Sequence, residues 1–451
     1  MMRKNVFVVA LVLLVTLVSC AEHECVWKEV SVTEPTCASE GEMVLKCNGC
    51  GATRTEKIAK LPHELADDGW KFNDVDFVYE QKCKSCNEMQ YKEIESGVRI
   101  KGIAGFENRL FESTNKAYEE VNLALKNACG LGEEPLSDDL FDALFTNVDE
   151  NGDAKVVWTI YGEQKMLDDD NHPSFISFGR KASHYSTRRH FSKVEIIGGN
   201  ENAKVVCSTL KFWYEWWGEG HLSYVSFKGL AVESNESTDN LMPQQSANGN
   251  DGIAVSFENC AIKGSFHCYN NSTNILTFEN CEFDSLDVKK YSIHAQGNSG
   301  EKCTTVRIED CTFKNSRGVN IDQATAEARI VGNTFKNCGN LTDNEDNNYY
   351  GAIQVTQGAN VLVDGNTIEN CKGNAIWVWS SKGTGVFTGK LTVKDNVIKN
   401  CSYAFADYGN EYTLESSGNR ISGTNVDKCF ARVMEDGNVV YKEIDAETKL
   451  Q

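Results

Sequence analysis

The chain has 451 residues, a hydrophobic share of 41% and a formal net charge of −20. That share excludes wholesale disorder, and the length allows one large domain with a smaller one beside it. The charge repels nucleic acid and other polyanions unless a local patch overrides it, so nucleic acid is not an expected partner and a monomer is.

The first residues include Arg3 and Lys4, then an apolar run from Val6 to Val18, then Ser19-Cys20-Ala21. A basic end, a short apolar core and small residues make a secretory signal, and thirteen residues are too few to span a bilayer. Leu17-Val18-Ser19-Cys20 resembles the bacterial lipobox, in which the cysteine is acylated and becomes the mature N-terminus. The resemblance implies export to a bacterial cell surface or outer membrane, with the membrane touched only through lipidated Cys20. Cleavage after Ala21 by an ordinary signal peptidase fits as well and implies a secreted soluble protein. Loss of residues 1–19 removes Arg3 and Lys4 and takes the charge from −20 to −22.

Seven of the 18 cysteines fall before residue 90. Cys25, Cys37, Cys47 and Cys50 have the composition of a tetrahedral four-thiolate zinc site, with Cys47-x-x-Cys50 as its knuckle. The stretch Trp27 to Ile58 resembles a cysteine-rich module repeated in bacterial surface proteins. That module runs T-x-x-P/A-T-C, Gly, a strand, C-x-x-C-G and a second strand, after an opening His-x-Trp. Here Cys25-Val-Trp27 holds the opening, so the resemblance implies that Cys25 replaces a histidine ligand. His63 opens a second copy with Trp70 and Cys83-x-x-Cys86, which lacks the middle cysteine and leaves a fourth ligand unassigned. Disulfides are the alternative in an oxidising compartment. In either case the cross-links are structural, since so short a module needs a staple. Residues 21–96 are read as this module and 1–20 as the signal.

Val98 to Ile103 reads as a strand opening a second region near Gly97. From Thr114 to Ala128 apolar residues recur at helical spacing, and Ser137 with Asp138 and Asp139 opens a second short helix. Residues 97–147 are therefore a connecting strand and a helical cap over the open end of a strand-rich region. Asp149 to Asp153 looks like the opening of a calcium loop but lacks the glycine and glutamate that such a loop needs, so a turn is expected. Strands are expected at Val156 to Tyr161, Phe175 to Phe178, Val194 to Ile197 and Val205 to Cys207.

Between them Phe178 to Lys193 is the one dense basic run. Its Arg188, Arg189, His184, His190 and Tyr185 are of the types that neutralise a uronate and abstract its neighbouring proton in a polysaccharide lyase. A solvated loop paired with surplus carboxylates explains the same run. Phe212 to Trp217 adds either a core edge or an aromatic platform.

The second half is a degenerate repeat. VSFKGLAV starts at Val225, VSFENCAI at Val255, LTFENCEF at Leu276, VRIEDCTF at Val306, ARIVGNTF at Ala328, VLVDGNTI at Val361 and LTVKDNVI at Leu391, at spacings of 30, 21, 30, 22, 33 and 30 residues. An eighth copy, Tyr412 to Ile421, carries two extra residues. Period two marks a strand with one buried face, and a second alternation comes after it in the later copies. Two or three short strands per copy, with no room for a helix, describe a parallel β-solenoid. A propeller blade needs roughly 40–45 residues, too many for these spacings. The pattern resembles right-handed parallel β-helix proteins of the pectate-lyase-like class, and the handedness is what that resemblance implies. The solenoid is expected over 148–425, with a hairpin cap at 426–451 around Asp436-Gly437.

The sixth position holds Cys260, Cys281 and Cys311, then Asn333, Asn366 and Asn396, which can bond along the axis as amide ladders do. Cys338, Cys371 and Cys401 form a second column, read as small buried apolar groups. If Ile353, Val355, Ile376 and Val378 point inward, then Gln354, Trp377 and Trp379 point out, with Asp322 on the same face and Tyr350 beside it. That composition suits sugar binding. The loop with Asp343, Glu345 and Asp346 offers hard oxygen ligands for Ca²⁺.

Three functions compete: a carbohydrate-binding or adhesion module, a polysaccharide lyase or hydrolase on an acidic polymer, and an architectural stalk with no ligand. The partner expected is a glycan or cell-surface polysaccharide. The fold hosts both binding proteins and enzymes, and strings associated with pectate lyases and polygalacturonases are absent.

Overall fold

A computed structural model describes residues 24–128, 137–165, 191–207, 222–234, 253–269, 273–284, 291–296, 304–322, 325–339, 351–355, 360–378, 389–407, 412–436 and 438–450. The chain divides into two compact units, the first ending at Glu93 and the second beginning at Ile94.

The first unit holds two small antiparallel sheets. One consists of β1 (Trp27–Thr33), β2 (Gly41–Cys47) and β3 (Thr53–Ile58). The other consists of β4 (Lys71–Asn73), β5 (Val78–Lys82) and β6 (Met89–Lys92). Each is short and supplies few buried apolar side chains, among them Leu45, Phe77 and the cysteines Cys37, Cys47 and Cys83. Sheets this small are marginal without a cross-link.

The second unit is the solenoid. Among its described residues a ten-stranded and a six-stranded parallel sheet run alongside ten parallel strands of a twelve-stranded sheet. Each repeat copy supplies a strand to the twelve-stranded sheet, turns a corner, supplies a short strand to the ten-stranded sheet, and in the later coils turns again into the six-stranded one. Registers are strict: Val306, Ala328, Val361, Leu391 and Leu414 stack in one column. Rings stack as well, with Phe283, Phe313 and Phe335 at centroid separations of 4.6 and 4.7 Å.

The first corner explains the repeat's fifth residue. Gly229, Asn259, Asn280, Asp310, Gly332, Gly365, Asp395 and Gly418 all sit at positive φ between 50° and 69°. Only Gly, Asn and Asp enter that region at low cost. The sixth residue then satisfies the backbone that the corner exposes. Asn366 Oδ1 accepts from the backbone N–H of Asn333 at 2.9 Å and from its amide at 3.0 Å, while Asn366 Nδ2 donates to the Ile330 carbonyl at 2.8 Å. Asn333, Asn396 and Asn419 repeat the arrangement, and the Cys281 N–H meets Cys311 Sγ at 3.4 Å. The second thiol column, Cys338, Cys371 and Cys401, is buried. Burial pushes the Cys338 thiol up to about 11, which suits packing and not reactivity.

The open end of the first coil, β9 (Ala154–Tyr161), is closed by two antiparallel strands, β7 (Gly97–Lys101) and β8 (Leu110–Phe111). α1 (Thr114–Ala128) and α2 (Asp138–Leu144) pack at the same end, with Ala117, Val121 and Phe141 in the solenoid core. Ser137 Oγ caps α2 by accepting from the Leu140 N–H at 3.3 Å. Pairing of the edge itself falls to the strands, because a helix cannot hydrogen-bond to a sheet edge. Asp149 accepts from the N–H groups of Asn151 and Asp153, so this loop is a turn leading into β9. At the far end Lys428–Glu435 and Asn438–Asp445 form the hairpin, with Asp436 at positive φ.

Replacing Asn366 by Ala strands the Asn333 N–H and the Ile330 carbonyl in the interior. Each unsatisfied buried group costs about 1–3 kcal/mol, so unfolding free energy should fall by about 2–4 kcal/mol in denaturant titration. Thr392→Ala, on the outer side of its strand, should cost under about 0.5 kcal/mol. Equal effects of the two substitutions would contradict the assigned role of the amide ladder.

Candidate functional sites

Among the described residues two groups of side chains able to ligate a metal converge in the first unit: Cys37, His63, Cys83 and Cys86, and separately Cys25, Cys47 and Cys50. Within each group the ligand atoms lie within 4.8 Å of one another. This corrects the grouping expected from chain order. Cys37 does not join Cys25, Cys47 and Cys50; it lies with His63, Cys83 and Cys86, where it offers the fourth ligand atom that the second copy lacked. The reason is local. Cys37 lies in the loop between β1 and β2, buried 3.6 Å from Cys83 Sγ, and the Leu61 N–H bonds to the Thr36 carbonyl, which holds that loop beside the second sheet's approach.

Both C-x-x-C segments form the same knuckle. The Cys47 N–H bonds to the Ala52 carbonyl and the Gly51 N–H to the Cys47 carbonyl. The Cys83 N–H bonds to the Glu88 carbonyl and the Asn87 N–H to the Cys83 carbonyl. The residue after the second cysteine is left-handed in each, Gly51 at φ 73° and Asn87 at φ 60°. Asn87 thus stands where the module pattern has glycine.

The distances decide what such groups can do. A metal–sulfur bond of about 2.3 Å in a tetrahedron places sulfurs about 3.8 Å apart, and a sulfur and an imidazole nitrogen about 3.6 Å apart. Cys37 and Cys83 are 3.6 Å apart, Cys25 and Cys50 4.0 Å, and Cys86 Sγ is 3.4 Å from His63 Nδ1. A disulfide needs about 2.05 Å. His63 Nε2 faces Glu88 at 3.7 Å, so the ring is oriented with Nδ1 towards the thiols, the arrangement of a metal-bound histidine backed by a carboxylate. The Cys86 N–H holds the Cys83 thiol down to about 6. Hydrogen bonding to Cys86, then burial, pushes Cys37 up to about 11, and hydrogen bonding to Cys47, then burial, pushes Cys25 up to about 12. Crowded thiols share protons in this way until a cation replaces them. Both groups can hold a metal ion.

The solenoid's faces differ in chemistry. On the twelve-stranded sheet Lys228 pairs with Glu258 and Lys394 with Asp364; on the ten-stranded sheet Lys204 pairs with Glu163 and Lys263 with Glu233. The six-stranded sheet instead aligns His267, His294, Asn320, Gln354 and Trp377 in one register column. Tyr291 lies across this column, its hydroxyl donating to Gln354 Oε1 and its ring 5.4 Å from that of His294. The Arg317 guanidinium lies over the Tyr291 ring, 5.8 Å from its centroid.

Two members of the expected sugar platform, Trp377 and Gln354, are not exposed. Trp377 stands outside the core cluster that contains Ile376 and Val378, as its phase requires, yet it is only 2% exposed. Gly351 packs so close that a Cβ there would lie 3.0 Å from Trp377 Cβ. Gln354 and Asn320 are also buried. Alternation fixes which way a side chain points but not what covers it. Tyr291, His294 and Arg317, which sequence reasoning passed over, are the half-exposed members. Asp322 lies on the same sheet, paired with Gln296. Trp379, Tyr350, Cys20, the candidates Arg188, Arg189, His184 and His190, and the acidic loop at Asp343 to Asp346 lie outside the described residues.

The family model of the right handed beta helix region matches residues 264–442. With the three parallel sheets, this decides the architecture. The solenoid is a right-handed parallel β-helix. No curated protein and no solved structure matches the chain. In this β-helix the matched stretch covers the coils whose second corner leads into the six-stranded sheet, so the column from His267 to Trp377 lies within it.

Proposed function

We propose that the chain is an exported surface protein, lipid-anchored at Cys20, whose β-helix binds a neutral or weakly charged glycan as an adhesion or recognition module. The observation that supports this is the outer face of the six-stranded sheet. Two sheets carry ion-paired lysines and carboxylates, which suit a solvated surface. The third carries imidazole, carboxamide and aromatic groups in register, with Tyr291, His294 and Arg317 at its accessible side. Such groups hydrogen-bond hydroxyls and stack on sugar rings. The acidic chain disfavours a polyanion. Export is supported by Arg3, Lys4, the apolar run and Leu17 to Cys20.

A glycan array should return a neutral or weakly charged ligand. His294→Ala should weaken its binding about tenfold, roughly 1.4 kcal/mol, with the melting temperature nearly unchanged; Tyr291→Ala should weaken it as much and also lower the melting temperature, since it removes the hydroxyl bonded to buried Gln354, whereas Lys228→Ala should leave binding intact. Binding indifferent to Tyr291 and His294 would place the ligand elsewhere, and turnover measured in parallel would make the protein an enzyme. Native protein should partition into detergent and lose that property in Cys20→Ala; a soluble native product starting at Glu22 contradicts the anchor.

We also propose that the first unit is stapled by zinc, held by Cys37, His63, Cys83 and Cys86. The support is the match of their separations to a tetrahedron and the carboxylate behind His63. Zinc there bridges the β1–β2 loop and the second knuckle and adds binding energy to folding. The purified protein should retain zinc that Cys37→Ser and Cys83→Ser both release, with early unfolding of residues 24–93. Metal-free folded protein with Cys37 in a disulfide by mass mapping would overturn this reading.

A further inference from the structure

The two thiol groups share a knuckle but are completed differently. At the second knuckle three thiols and an imidazole converge, with Cys37 and Cys83 buried. At the first, three thiols converge among the described residues: Cys47 is buried, Cys25 half-buried and Cys50 exposed. His63 precedes its knuckle by 20 residues and Cys25 precedes its own by 22, so Cys25 matches His63 and no described residue matches Cys37. The thiol that would complete the first group is committed to the other one at 3.6 Å.

We propose that Cys25, Cys47 and Cys50 form a second metal centre of another kind, a three-thiolate site for a thiophilic divalent cation with its fourth position open to an external donor. This rests on the reading of the first unit as metal-binding. Zinc sites closed by four protein ligands are structural, and three-ligand sites keep a position for water or an incoming group. Three thiolates on a divalent ion leave a net charge of −1, and water completes the tetrahedron. An incoming thiol loses its proton to solvent as its sulfur displaces that water; an imidazole displaces it with no proton released. The ligand class is therefore a thiol or an imidazole, free or on another molecule. The exposed Cys50 edge gives the approach.

The experiment uses the full chain loaded with Co²⁺ and challenged with a chromogenic chelator. Two ions should be bound. One should leave about tenfold or more faster than the other. The fast phase should vanish in Cys50→Ser and the slow phase in Cys37→Ser. Added imidazole or a small thiol should shift the visible cobalt bands of the fast site alone. Two ions leaving at one rate would overturn the proposal, as would bands indifferent to added donors. Bands altered by His23→Ala would overturn it too, since His23 would then hold the fourth position. A chain that binds no ion would instead overturn the metal reading of the whole unit, and the stoichiometry distinguishes the two failures.

Discussion

Every coil of the solenoid must turn a corner without leaving a buried peptide group unpaired. From the copy at Val255 onward the chain meets that constraint with two adjacent residues. One adopts a left-handed conformation, which turns the backbone, and the next places its side chain inside, where it accepts the N–H of the coil before it. The apolar positions on either side are free to vary among Val, Leu, Ile, Ala and Phe, because the corner fixes their phase. Asparagine does this best, since its Nδ2 also satisfies a carbonyl one coil away. Cysteine in the earlier coils makes the same contacts more weakly: Cys281 Sγ reaches the Phe257 carbonyl one coil away and Cys311 Sγ accepts the Cys281 N–H, each at 3.4 Å, with sulfur a weak donor and acceptor.

With the interior settled in this way, the outer faces are free to differ. Lysines pair with carboxylates of neighbouring coils on two sheets, and such pairs, each worth little, suit exposed strands. The third sheet departs from this rule along a single register column, and a departure confined to one face of a regular scaffold is where recognition is expected. The first unit solves a different problem. Its sheets are small, and a metal ion held by the converging thiol groups would provide the cross-linking that a core otherwise gives.

Much of the fold was legible because periodicity is a property of the chain alone. The repeat, the span of α1 from Thr114 to Ala128, the Ser137 cap and the final hairpin could all be read from spacing and residue type. The amide ladder could be read too, since Asn333, Asn366 and Asn396 share a repeat position. The left-handed corner was equally visible in Gly229, Asn259, Asn280 and Asp310, a column limited to the residues that tolerate positive φ, and was passed over. Two things were not legible. Cys37 is nearer in sequence to Cys47 than to Cys83, but ligands are chosen by distance in space, and the loop between β1 and β2 carries it to the second knuckle. Trp377 faces outward by alternation, but it is buried and Gly351 of the neighbouring coil packs against it, which no local pattern reports.

The central claim is that side chains at the sixth position complete the backbone hydrogen bonding of the corners, so that each corner is as well protected as the strands it joins. Amide hydrogen exchange on the native protein tests this directly. The N–H groups of Cys311, Asn333 and Asn366, bonded to the side-chain oxygens of Asn333, Asn366 and Asn396, should exchange as slowly as those of Ile308, Ile330 and Val363 inside the neighbouring strands. Exchange of these three at the rate of exposed turns, while the strand amides stay protected, would contradict it.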